Sequence, residues 1–134
     1  MTELLKGECL CGAVKFQGIP DHGITICHCG QCRTWGAGPY MEVDMSTGVS
    51  IEGDTLRWYR SSENGERGFC TTCGSSLFWR DVRAGDAMSV SANALQGDHG
   101  LKIKSHIWVD DKPDWYEFAD DTSRLTASEF TGGR

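Results

Sequence analysis

The stretch Cys27-His28-Cys29-Gly30-Gln31-Cys32, read with Cys9-Leu10-Cys11-Gly12 and Phe69-Cys70-Thr71-Thr72-Cys73-Gly74, decides what kind of protein this is. A Cys-x-x-Cys turn sets two thiolates one edge of a coordination tetrahedron apart and aims backbone N–H groups at the sulfurs. A glycine after the second cysteine permits the turn, and both Cys11-Gly12 and Cys73-Gly74 have that form. These runs hold all seven cysteines of the chain. An odd number cannot pair off within one chain, so a full disulfide framework is excluded, and grouped thiols in a reducing compartment read as metal ligands or redox groups. A closed structural zinc site is assembled economically from Cys9, Cys11, Cys70 and Cys73. Cys27, Cys29 and Cys32 then remain, and three protein ligands with a free fourth position is the pattern of a catalytic zinc. Other divisions stay open, with His22, His28, His99 or His106 completing a second closed site. In an extended Cys-His-Cys, however, His28 points away from both sulfurs and is expected to pack or hydrogen-bond behind them. His22 and His99 in loops, and His106 on a strand, read as solvent-facing.

Working outward, glycine and proline punctuate the first 113 residues so densely that no stretch free of both exceeds 12 residues, which leaves little room for long helices. Apolar residues two apart mark short strands: Val14 and Phe16, Ile24 and Ile26, Val49 and Ile51, Leu56 and Trp58, Met88 and Val90, and Leu101, Ile103, Ile107 and Val109. Turn signals between them, such as Gly53-Asp54 and Gly85-Asp86, give the rhythm of a mainly β fold of short antiparallel strands. With no internal repeat or linker, residues 1–134 read as one domain. Residues 114–131 open on Trp115, Tyr116 and Phe118, then turn polar, with room for one helical turn and no assigned function.

The formal net charge of −6 argues against nucleic acid and anionic membranes as partners. Apolar runs stop at three residues, as in Ile107-Trp108-Val109, too short for a membrane span or signal-peptide core, so a cytoplasmic location is expected. Zinc held by three thiolates carries a formal −1, a weak Lewis acid that acidifies water poorly but takes a soft fourth ligand. A substrate thiol bound there is held as its nucleophilic thiolate, so chemistry on an external thiol is favoured over hydrolysis.

The runs Gly7-Glu8-Cys9-Leu10-Cys11-Gly12, Cys27-His28-Cys29-Gly30-Gln31-Cys32-Arg33, Phe69-Cys70-Thr71-Thr72-Cys73-Gly74-Ser75 and Ser105-His106-Ile107-Trp108-Val109, with Pro113-Asp114-Trp115-Tyr116, resemble the glutathione-dependent formaldehyde-activating enzyme family. The likeness runs in the family's order over roughly residues 5–118, leaving 119–134 as a polar tail. It implies the zinc-binding β-tent fold, shared with methionine sulfoxide reductase B domains. It also implies a carbon–sulfur lyase that combines glutathione with formaldehyde to S-(hydroxymethyl)glutathione. Two Zn²⁺ per chain are implied, a structural one on Cys9, Cys11, Cys70 and Cys73 and a catalytic one on Cys27, Cys29 and Cys32, with a small-molecule thiol and an aldehyde as partners. Centromere protein V-like members share the scaffold without such chemistry following, since fold and site are inherited while function drifts. Arg33 and Trp35 are the substrate-contact candidates, Arg33 alongside Arg57, Arg60, Arg67 and Arg80 for carboxylates, Trp35 as a pocket wall.

The competing reading is a non-catalytic zinc module for protein interaction, in which both metals stabilise a small fold. A redox reductase would need a thiol outside the clusters, and the sequence has none. An iron–thiolate protein would show strong visible absorption.

Overall fold

The computed structural model describes residues 3–132. In chain order the elements are β1 Leu5–Glu8, β2 Lys15–Gly18, β3 Ile24–Cys27, α1 Gly30–Gly36, β4 Tyr40–Met45, β5 Val49–Glu52, β6 Leu56–Arg60, β7 Gly65–Cys70, β8 Ser76–Asp81, β9 Met88–Ser91, β10 Ile103–Ile107, β11 Ser123–Leu125 and α2 Ala127–Thr131. The strands form two sheets, a small one in the order β1-β2-β5 and an eight-stranded one in the order β11-β10-β3-β4-β9-β8-β7-β6. The fold is mainly β, and its two helices span seven and five residues.

One expectation of direction is corrected. β10 runs parallel to both β3 and β11, whereas the other pairings are antiparallel. Period-two alternation reports that a segment is a strand but not which way it runs. β10 reaches the flank of β3 only after the chain has built six intervening strands, and a long crossover is what parallel pairing requires.

The core lies between the sheets. Leu5 and Phe16 of the small sheet meet Val43, Phe78 and Val90 of the large one, with the Phe16 and Phe78 rings edge-to-face at 4.9 Å. Alternation then sends the neighbouring side chains to the opposite face of the large sheet: Glu42 beside Val43, Ser89 beside Val90, Trp79 beside Phe78. The eight-stranded sheet therefore separates the core from a second space.

Residues 114–131 are more ordered than their polarity implied. Ser123–Leu125 is a strand paired to β10, and α2 is closed by a reciprocal capping box between Thr126 and Glu129. Trp115 is 77 % exposed and takes no part in the core. No helix among the described residues is long and apolar enough to cross a membrane.

Candidate metal centres and active-site cavity

The first centre joins two turns that are far apart in sequence. Gly12 and Gly74 sit at φ 81° and 79°, the left-handed region that a side chain would strain, so the glycine after each second cysteine performs the role expected of it. The Gly12 amide donates to the Cys9 carbonyl at 3.0 Å and the Gly74 amide to the Cys70 carbonyl at 2.8 Å. This brings Cys9, Cys11, Cys70 and Cys73 together with all four sulfurs within 4.8 Å of one another. The sulfurs of Cys9 and Cys11 are 3.6 Å apart, those of Cys11 and Cys70 3.8 Å. Metal–sulfur bonds of zinc length give a tetrahedral edge of about 3.8 Å, so this donor set fits a closed thiolate site. Its sulfurs are also solvated by donors. The Val14 amide points at Cys9 Sγ at 3.2 Å, and the Thr55 and Ser75 hydroxyls stand 3.4 and 3.2 Å from Cys70 and Cys73. The Ser75 hydroxyl and the backbone amides of Ser75 and Cys11 pull the Cys73 thiol down to about 5, which favours the ligating form.

The second centre is local. Cys27 ends β3, Cys29 caps α1 by accepting the Cys32 amide at 3.4 Å, and Cys32 lies one turn into that helix. The three sulfurs lie within 4.8 Å of one another, and among the described residues no further His, Cys, Asp or Glu ligand atom joins them. No histidine closes this site. Hydrogen bonds from Cys27 and Cys32 and the backbone amide of Cys32, with the Arg67 charge adding to them, pull the Cys29 thiol below its ordinary value.

The three cysteines sit at the wall of a cavity of about 860 Å³ on the face of the large sheet away from the core. Thr25, Glu42, Ser89 and Ser105 project into it from the strands, Trp79 and Trp108 supply apolar walls, and Leu125 and Phe130 close it from β11 and α2. That size and mixed lining suit a small organic ligand.

Of the expected substrate contacts, neither Arg33 nor Trp35 lines this cavity. Arg33 donates to the His28 and Asp111 carbonyls at 3.0 and 3.2 Å, and Trp35 packs edge-on against Tyr40. Arg80 lies over the Trp58 ring, paired with Glu66, while Arg57 and Arg60 line a shallow depression elsewhere. Among the five arginines Arg67 alone reaches the site, buried, with Nη1 3.5 Å from Cys32 Sγ and Nη2 3.2 Å from Gln31 Oε1.

Glu42 was not singled out from the sequence. The polar–apolar alternation of Tyr40-Met41-Glu42-Val43-Asp44-Met45 was the available signal, because it places a carboxyl on the face opposite Val43. Burial, and next the charge of Asp44, push its carboxyl up to about 8. The Ser89 hydroxyl stands 3.3 Å from Glu42 Oε2 and 3.4 Å from the Trp79 carbonyl. A protonated Glu42 can therefore donate to Ser89 while Ser89 donates to Trp79.

His28 lies behind the sulfurs, as alternation requires, and His106 overturns the solvent-facing expectation: each is 1 % exposed. His106 is buried because the segment that follows β10 folds over it, with Tyr116 and Phe118 stacked or edge-on to the two rings.

Residues 4–111 match the family model described as glutathione-dependent formaldehyde-activating enzyme. An uncharacterized lyase of Schizosaccharomyces pombe is 32 % identical over 126 residues, 92 % of each chain. A Halomonas elongata protein, provisionally named a glutathione-dependent formaldehyde-activating enzyme, is 32 % identical over 126 residues, 85 % of this chain and 80 % of its own. A crystal structure of a Rhodobacter sphaeroides protein superposes with a TM-score of 0.59 at 24 % identity, covering 69 % of this chain and 88 % of that one, a likeness of fold. With most of its length matched by the family model and by these relatives, and with its cysteines gathered into two ligand clusters, this chain belongs to the glutathione-dependent formaldehyde-activating enzyme family.

Proposed function

We propose that the chain is a single-domain carbon–sulfur lyase that reversibly joins formaldehyde to a small thiol, glutathione being the one the family name implies. Zinc is held at both cysteine centres. The observation that carries the reading is the three-cysteine group, without a fourth protein ligand among the described residues, on the wall of an 860 Å³ cavity. A non-catalytic module calls for a closed second site, and the cavity opposite the core would then have no purpose.

Cys27, Cys29 and Cys32 would hold the zinc, which would supply a position that keeps a substrate thiol in its thiolate form. The chain's own groups do the rest. Arg67, beside Cys32 Sγ, offsets the negative charge of the thiolate cluster. Trp79, Trp108 and Leu125 exclude water around the reacting atoms. Lys104, at the exposed edge of the cavity, is the cation placed to meet a carboxylate of the thiol substrate. As the C–S bond forms and the carbonyl π bond opens, Glu42 gives the proton on its carboxyl oxygen to the aldehyde oxygen. It regains a proton from the incoming thiol, so no net charge is left behind.

Following exchange between free formaldehyde and the hydroxymethyl thiol by NMR tests the activity: exchange no faster than the spontaneous background, with fully zinc-loaded protein, overturns it. Glu42→Gln tests the proton carrier. The donating form exists below the carboxyl's value of about 8 and is lost above it, so the wild-type rate falls as pH rises through that value. Glutamine cannot donate this proton; the variant is expected to lose about 100-fold in kcat and to lose that limb of the profile. An unchanged limb in Glu42→Gln would assign it to another group.

A further inference from the structure

Behind the three-cysteine centre, on the side away from the cavity, four side chains form one unbroken hydrogen-bonded row. Tyr116 Oη lies 2.7 Å from His28 Nδ1, His28 Nε2 lies 2.8 Å from His106 Nδ1, and His106 Nε2 lies 3.0 Å from Asp120 Oδ1. None of the four lines the cavity. The direction of the last bond follows from Asp120. The Thr122 hydroxyl, with help from His106, holds the Asp120 carboxyl far below the usual carboxylate range, so Asp120 only accepts. His106 Nε2–H then donates to it, and the row continues through the His106 Nδ1 to His28 Nε2 and His28 Nδ1 to Tyr116 Oη bonds. No buried side-chain donor or acceptor among the described residues lacks a partner.

His28 is the residue between two of the three ligating cysteines, and it is fixed at four points. Its amide donates to the Ile107 carbonyl at 3.1 Å, its carbonyl accepts Arg33 Nε at 3.0 Å, and each ring nitrogen is a member of the row. A residue held at backbone and side chain alike has no rotational freedom to pass to the peptide planes on which Cys27 and Cys29 hang. The row also draws on chain far away in sequence, from strand β10 and from residues 116–120.

We infer that Tyr116, His28, His106 and Asp120 form a positioning brace that sets the sulfurs of Cys27 and Cys29 for metal before metal arrives. The segment after β10 is thereby a working part of the three-cysteine centre. This rests on the reading that those cysteines hold a metal ion, but not on which thiol or aldehyde is used. The row acts through position and orientation.

The test is a chelator competition on full-length zinc-loaded protein, with cobalt substitution as a second readout of site geometry. Asp120→Ala is expected to weaken the labile site about 10–100-fold and to alter its cobalt ligand-field bands. The tight four-cysteine site should be unchanged. Tyr116→Phe, which removes one hydroxyl and keeps the ring, is expected to weaken the same site by a few-fold, and it stands in should Asp120→Ala not fold. Labile-site affinity within twofold of wild type in both variants, or a loss shared equally by both sites, overturns the brace. One zinc per wild-type chain would instead overturn the three-cysteine metal reading itself.

Discussion

Cys70→Ser is expected to leave little folded protein at 37 °C. Cys70 ends β7, is fully buried within the core cluster, and places its sulfur 3.8 Å from that of Cys11. Those two residues are 59 positions apart, so this contact fastens the N-terminal turn to the large sheet. A structural zinc on four thiolates contributes on the order of 10 kcal/mol of apparent folding free energy. A domain of this size has about 5–15 kcal/mol in all. Serine is a poor ligand for a thiophilic ion and leaves a small void in the core. We expect a loss above about 4 kcal/mol, in the exceptional range for a single substitution. Soluble yield, far-UV circular dichroism and zinc per chain measure it. A melting temperature within a few degrees of wild type would show that this centre does not hold the fold together.

Cys29→Ser should do the opposite: activity falls to the spontaneous background, one zinc becomes weakly bound or is lost, and the fold survives. The reason is local. Cys29 caps α1 with its side chain, and serine is among the preferred residues for that position, so the helix start is retained. Sulfur, unlike oxygen, is a good ligand for a thiophilic ion such as the proposed zinc. Melting temperature and far-UV spectrum are expected to stay close to wild type while hydroxymethyl exchange and the labile zinc disappear. If Cys29→Ser and Cys70→Ser unfold alike, the division into a structural and a catalytic centre is wrong.

The cysteines made both centres readable because ligand spacing is a local property. Cys-x-Cys, Cys-x-x-Cys and the following glycines carry their geometry within a few residues. Strands with apolar residues two apart were legible for the same reason. β7 was not, because Gly65-Glu66-Arg67-Gly68-Phe69-Cys70 carries glycines at Gly65 and Gly68, where Trp79 and Trp58 press against the chain. What stayed hidden depends on long-range pairing. The parallel direction of β10 follows from the long crossover that separates it from β3, and the burial of His106 and the approach of Asp120 follow from the placement of residues 114–125 against it; no local pattern encodes either. Arg33 and Trp35 lie on α1 close in sequence to the cysteines, yet neither lines the cavity: Arg33 turns to the His28 and Asp111 carbonyls and Trp35 packs on Tyr40.

The large sheet keeps its two faces chemically independent. Val43, Val90 and Phe78 hold the core, whereas Glu42, Ser89 and Trp79, one residue away in each case, line the cavity. A lineage can therefore exchange cavity-facing residues with little penalty in folding, while the cysteine clusters persist as inherited fixtures. Directed evolution toward other thiol–aldehyde pairs should accordingly find its productive substitutions at alternate positions of these strands, with core positions remaining intolerant.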